Sequence, residues 1–307
     1  MPVKIKIHKI PTPYVVGPVD IFELETGGKK ILVDTGPQTK EATEYLKKNI
    51  DLKNLDYLLV THCHPDHYGL ARYIEEQSKA TLVFCKNDAL LFELFEERMD
   101  FLYEALLGLG FPLKLMDFYK GLLPRFQGDV PFVNSHATLE DVSQVLEKLG
   151  ITWFGCPGHS QSDIVFKFDD KAITGDCLLR DIFPAPLLDM DVNFGGRFKN
   201  YQAFCESIPK LMSLKDRTII PSHNDYIESV ESQLVYLHNK IKSRSKRIAP
   251  LVKKGLNGYE ILNELFPNLD KQHFKLYIKA SELCFFEDYV KEPELLENQL
   301  RAFGIEV

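Results

Sequence analysis

The chain has 307 residues, enough for about two domains and a core that needs no covalent staples. With 45% hydrophobic and 26% charged residues its composition is ordinary for a globular protein, which excludes a largely disordered, collagen-like or fibrous chain. Its 37 basic against 44 acidic residues give a formal net charge of -7, an unfavourable balance for a general nucleic-acid binder.

Residues 3–10 alternate like a strand and carry no apolar leader, and no stretch approaches the ~18 apolar residues of a membrane span. A strand over 14–25, a Gly27-Gly28 turn and the apolar run 31–33, ending at Asp34-Thr35-Gly36, complete a meander. Helical spacing covers 39–49. A buried strand, 57–60, then runs directly into a histidine-rich segment. A helix over 68–78 and a strand over 81–84 lead to a helix-rich stretch, 88–121, too long for a connection and read as an inserted helical cap whose many aromatic residues chiefly pack it onto the scaffold. Further strands are expected at 130–133, 151–156, 164–168, 172–174 and 218–221, with helices at 139–149 and 201–214. Beyond 226 the pattern is helical: 226–254, 259–265 and 271–292. The change of character divides the chain into 1–225 and 226–307. Six cysteines are scattered with no CxxC pair, which fits a reducing compartment and a soluble, cytoplasmic protein.

The chemistry concentrates in Thr61-His62-Cys63-His64-Pro65-Asp66-His67. In an extended segment His62 and His64 point the same way, because side chains alternate with a period of two. Asp66 and His67 follow where the chain turns into a helix, so they project to another side of the same cavity. Two adjacent ligand sets result. Imidazole and carboxylate donors without thiolates suit Zn, Fe or Mn rather than Ca or Mg.

The segment resembles the metallo-β-lactamase superfamily, in particular its hydrolase branch of glyoxalase II-like enzymes. The likeness continues through Asp34-Thr35-Gly36, Gly158-His159-Ser160, Thr174-Gly175-Asp176 and Pro221-Ser222-His223, each at a predicted strand end. It implies an α+β fold, the four-layer αββα sandwich, with the helical cap inserted and a small helical C-terminal domain that loosely resembles a winged-helix extension. It also implies that His62, His64 and His159 bind one divalent metal, that Asp66, His67 and His223 bind a second, and that Asp176 bridges them. The expected cofactors are two divalent ions, zinc first, with iron or manganese as alternatives. Asp66 would both ligate and orient a metal-activated hydroxide. Asp34 reads as fixing a ligand by a hydrogen bond, or as a plain strand-end turn residue. The chain departs from the family pattern at Cys177, where many members place histidine; the thiol reads as an altered contact beside the metals or as a small buried filler.

Substrate choice falls to the cap and to the loop after Asp176, where Arg180, Phe183, Asn193 and Arg197 are candidate contacts. The leading reading is hydrolysis of an ester or thioester, with a small-molecule substrate. Three rivals stand beside it: a phosphodiesterase or nuclease of the same fold, a mono-iron persulfide dioxygenase using His62, His159 and Asp176, and a non-enzymatic winged-helix regulator with a metal-sensing domain. The basic run at 242–247 is read as a solvated helix face rather than a nucleic-acid contact. The helical extension is read as an active-site wall or a homo-oligomer contact.

Overall fold

The computed structural model describes residues 2–128, 132–269 and 272–306. Strand β1 (Lys4–Ile10) pairs antiparallel with β2 (Val19–Thr26), which turns through Gly27 and Gly28 into antiparallel β3 (Lys29–Val33). The second strand starts at 19 rather than 14. Pro13, Gly17 and Pro18 break the run, and Thr12 Oγ1 donates to the Gly17 carbonyl (2.6 Å) to close a loop there. Strands β4 (Tyr57–Leu59), β5 (Thr81–Phe84) and β6 (Ala137–Thr138) extend the sheet in parallel. The second sheet runs β10 (Thr218–Pro221), β9 (Lys171–Gly175), β8 (Ile164–Phe168), β7 (Ile151–Gly155), with β9 and β10 parallel.

The alternation of side chains along each strand sets the layers. Leu59, Val83, Phe166, Ile173 and Ile220 meet in the core between the sheets. Their neighbours Leu58 and Leu82 face the opposite way, onto helices α1 (Lys40–Asn49) and α3 (Ala71–Gln77) through Leu46 and Ile74. Val165, Ala172 and Ile219 face the other outer layer, where they meet Phe204 and Ile208 of α8 (Asn200–Met212). The chain is therefore the expected αββα sandwich. The predicted helix 68–78 is divided into the short α2 (Pro65–Tyr68) and α3, because the backbone leaves helical geometry at Leu70, whose N–H donates to Thr35 Oγ1 (2.9 Å).

The cap comprises α4 (Lys86–Glu93), α5 (Phe95–Gly108) and α6 (Leu113–Gly128), between β5 and β6. The strand expected at 130–133 falls partly on 129–131, outside the described residues. Phe132 and Val133 are irregular, and Val133 is apolar because it is buried in the outer core. Helix α7 (Leu139–Lys148) follows β6, opened by a Thr138–Asp141 capping box.

The C-terminal part is α9 (Val230–Lys253), α10 (Gly258–Leu265), α11 (His273–Lys291) and α12 (Pro293–Ala302). The last two are separate because Pro293 lacks the N–H that a continuous helix needs. Among the described residues no strand follows Pro221 apart from the isolated Ile219–Ile227 bridge, so the extension has helices without the hairpin of a winged helix. It shares one buried cluster with α8, α5 and α6. The basic run is exposed as expected at Lys242, Lys246 and Arg247, and Arg244 is only partly so. It stacks 5.1 Å from the Phe183 ring and lies 3.4 Å from Glu282. Among the described residues no helix is long and apolar enough to cross a membrane.

Candidate metal centre

Each sheet contributes strand ends to one polar cluster. From the first sheet, the chain leaving β4 presents His62 and His64, then turns into α2, whose first residues are Pro65, Asp66 and His67. Proline at the first helical position has its φ already set for a helix, so the turn is fixed where both ligand types must project. From the second sheet come His159, in the loop between β7 and β8, and Asp176 and His223, just beyond β9 and β10. Gly175 permits the approach of Asp176: its φ is +54°, and a Cβ there would lie 2.9 Å from Thr61 Cβ.

His62 Nε2 lies 3.0 Å from His64 Nδ1, which lies 2.8 Å from His159 Nε2. These three form one group, Asp66, His67 and His223 another, and His62, His67 and Asp176 a third; within each, all donor atoms lie within 4.8 Å of one another. The two oxygens of Asp176 face different partners. Oδ1 is 3.6 Å from both His67 Nε2 and His223 Nε2, and Oδ2 is 3.7 Å from His159 Nε2. Asp66 Oδ2 lies 3.5 Å from His223 Nε2.

The outer nitrogens are held so that the inner ones are bare. Asp34, fully buried and at φ +62°, accepts from Thr61 N–H (2.8 Å), Thr61 Oγ1 (2.8 Å) and His67 Nδ1 (2.9 Å). The Thr61 hydroxyl hydrogen is thereby committed to Asp34, so Thr61 Oγ1 accepts from His62 Nδ1 at 3.1 Å. His223 Nδ1 donates to the Pro18 carbonyl at 2.7 Å. These contacts select the tautomers that leave Nε2 unprotonated on His62, His67 and His223, the arrangement a metal ligand requires. His67 Nε2, His223 Nε2 and Asp176 Oδ1 are buried without a hydrogen-bond partner, a costly state for polar atoms that a cation relieves. The donor set fits a divalent metal.

The electrostatics of the metal-free cluster divide the histidines: burial opposes the charged form of His67 and His223, but Asp176 and Asp66 outweigh it and push both imidazoles up, toward a proton that a bound cation would displace. Burial, reinforced by the neighbouring histidines, holds the His62 imidazole well below its ordinary range. Burial opposes ionisation of Asp176, but His223 and His67 outweigh it and keep this carboxyl far below the usual range.

The cluster borders a cavity of about 650 Å³. Of the four expected substrate contacts, Phe183 lines it. The other three do not. Arg180 is turned outward beside Glu228 (3.7 Å), Asn193 is exposed and bonded to Asn87 (3.2 Å), and Arg197 is held by Asp288 (2.6 Å). Loop position placed them near the site, but long polar side chains found acids and amides elsewhere first. Cys177 is buried, and burial together with Cys156 pushes its thiol well up, so it packs as a protonated filler. Sequence reasoning missed Tyr14, Asp88 and Arg98, all in the cavity lining. Burial, then the charge of Asp66, pushes the Tyr14 phenol up to about 12, leaving it a protonated donor. Asp88 accepts from Cys63 N–H (3.2 Å) and Ser162 Oγ (2.6 Å), tying the two histidine loops together. No local pattern marks any of the three.

A four-layer αββα sandwich with histidines and aspartates gathered at the strand ends defines the metallo-β-lactamase fold. The profile of the Metallo-beta-lactamase superfamily matches residues 14–223, and the chain belongs to that superfamily. It is 25% identical to the "Probable metallo-hydrolase YqjP" of Bacillus subtilis (strain 168), across 94% of this chain and 93% of that one. It is 21% identical to the "Beta-lactamase-like protein 2 homolog" of Caenorhabditis elegans, across 83% and 73%. Among solved structures, a metallo-beta-lactamase family protein from Thermus thermophilus superposes with a TM-score of 0.71 at 20% identity, covering 94% of each chain.

Proposed function

We propose that the protein is a metal-dependent hydrolase of an ester or thioester with a binuclear centre. His62, His64 and His159 would hold one ion, Asp66, His67 and His223 a second, and Asp176 both. The observation that carries the reading is the set of buried, partnerless donor atoms facing one another across the two sheets. The split orientation of the Asp176 oxygens supports the bridging role. Two divalent ions held there, zinc by donor chemistry with iron or manganese also suited, would supply ionised water at neutral pH and polarise a carbonyl oxygen. Asp66 would accept a hydrogen bond from the attacking water and orient it, Asp34 holds the His67 ring, and Tyr14 would offer a phenolic proton at the cavity wall. In this reading residues 1–225 form the catalytic unit and 226–307 complete the cavity wall, since Tyr277, Ile278 and Lys279 line it.

The test is elemental analysis of protein purified without added metal, joined to a panel of ester, thioester and phosphodiester substrates. Two ions per chain with cleavage of carboxylic esters or thioesters are expected. Cleavage of phosphodiesters alone overturns the substrate class, and a single bound ion overturns the binuclear centre.

A further inference from the structure

Among the described residues, each cation in the cavity lining outside the histidines is either tied to an acid or exposed to water. Arg98, from the cap, donates from Nε and Nη2 to the two oxygens of Asp189, both at 2.6 Å, and each side chain is only 12% exposed. Lys279, from α11, donates to Glu282 at 2.6 Å. The remaining cation, Lys275, is exposed and so screened by water. Between these groups and the metal ligands much of the wall is apolar, with Leu91, Phe92, Leu179, Phe183, Leu187 and Ile278 drawn from the cap, the loop after Asp176 and α11. A peptide-like thioester whose carboxylates lie away from the reacting carbonyl, out of reach of the metal site, would enter this space without a free buried counter-ion among the described residues and would lose hydration that nothing there replaces.

We infer that the cavity selects esters or thioesters whose acyl group is uncharged, apolar and of medium length, and that the Arg98–Asp189 pair enforces the selection by keeping the arginine closed to substrate anions. The volume is of the size that encloses a small ligand. The inference rests on the hydrolase reading and extends it to the acyl side of the bond.

The experiment uses the full chain with its native metal and a p-nitrophenyl ester series from acetyl to octanoyl, with succinyl as the charged counterpart of butyryl. kcat/KM is expected to rise about fourfold per methylene over the first few carbons, the value of burying one such group, and to be at least tenfold lower for succinyl than for butyryl. Asp189→Asn leaves Arg98 unneutralised and should move the succinyl-to-butyryl ratio up at least tenfold. Should that variant not fold, Ile278→Trp, which fills the cavity, should lower the octanoyl-to-acetyl ratio. In parallel, octanoate should raise the thermal unfolding midpoint more than acetate at equal concentration. Esters cleaved without regard to length or charge overturn the selectivity and leave the hydrolase intact. No ester cleaved, with octanoate still preferred over acetate, overturns the hydrolase reading and keeps the selectivity. Neither cleavage nor preferential binding overturns both.

Discussion

Asp34 sits in left-handed backbone geometry, which aspartate tolerates better than most residues, and all its acceptor capacity is turned toward the ligand segment. It holds a tautomer rather than a metal. Replacing it with alanine should weaken metal affinity roughly 10- to 100-fold, measured by competition with a chromophoric chelator. Asp176→Ala should lower metal content and activity together; unchanged stoichiometry would falsify its bridging role. A third residue carries a pH signature. Burial pushes the Asp163 carboxyl up to about 8, against the Ser160 hydroxyl (2.6 Å) and N–H (2.7 Å) that favour its charged form. Because the folded-state value is raised, the stabilisation is complete below about pH 4, the ordinary aspartate range, and is lost as pH rises through about 8. Chelated protein should therefore lose stability in urea between pH 5.5 and 8 by up to about 1.4 kcal/mol per pH unit more than chelated Asp163→Asn does. The candidate metal-binding residues were legible in the sequence because each lies in a short motif at a strand end. Arg98 was not, because its partner Asp189 is 91 residues away and neither is flagged by its neighbours.

At the scale of elements, hydrophobic periodicity located strands and helices well and their interruptions poorly. The runs 81–84, 164–168 and 218–221 coincide with β5, β8 and β10. Errors arose where burial, not strand pairing, made residues apolar, as at Val133, or where one residue's hydrogen bonding stopped a helix, as at Leu70. The cap illustrates what periodicity omits: its helicity is local, but its docking is not. Tyr119 donates to the His273 carbonyl (2.8 Å) and Tyr259 N–H to the Leu109 carbonyl (2.8 Å), so α6 and the α5–α6 turn lean on the C-terminal helices. Arg98 ties α5 to the loop after Asp176. Arg98→Met should destabilise the protein by about 3 kcal/mol, since it strands Asp189 in a largely buried position. Urea unfolding measures that loss, and a change under 1 kcal/mol would show the pair to be dispensable.

Across the whole molecule, the division near 226 marks a change of secondary structure and not a gap in packing. Leu234, Leu237, Phe285 and Leu296 share a buried cluster with Phe204, Ile208 and the cap. A chain ended after Asp225 should therefore expose a large apolar face and aggregate or bind a hydrophobic dye, where an independent catalytic domain would stay monomeric and cooperative. Chelation of bound metal from the intact chain should lower its thermal midpoint, and added zinc should restore it, because ligands that bind only the folded state stabilise it by mass action.

The donors are divided between the halves of the sandwich, those at 62–67 hanging from one sheet and those at 159, 176 and 223 from the other. Neither half alone assembles any complete group containing His159, Asp176 or His223. The complete donor groups must then form late in folding, after loops of about a hundred residues have closed. A ribosome that has synthesised only the first 150 residues displays the three histidines and the aspartate of the 62–67 stretch but none of the complete groups of the folded site. The full donor set is therefore a signature of completed assembly, present only in molecules whose two sheets have already met.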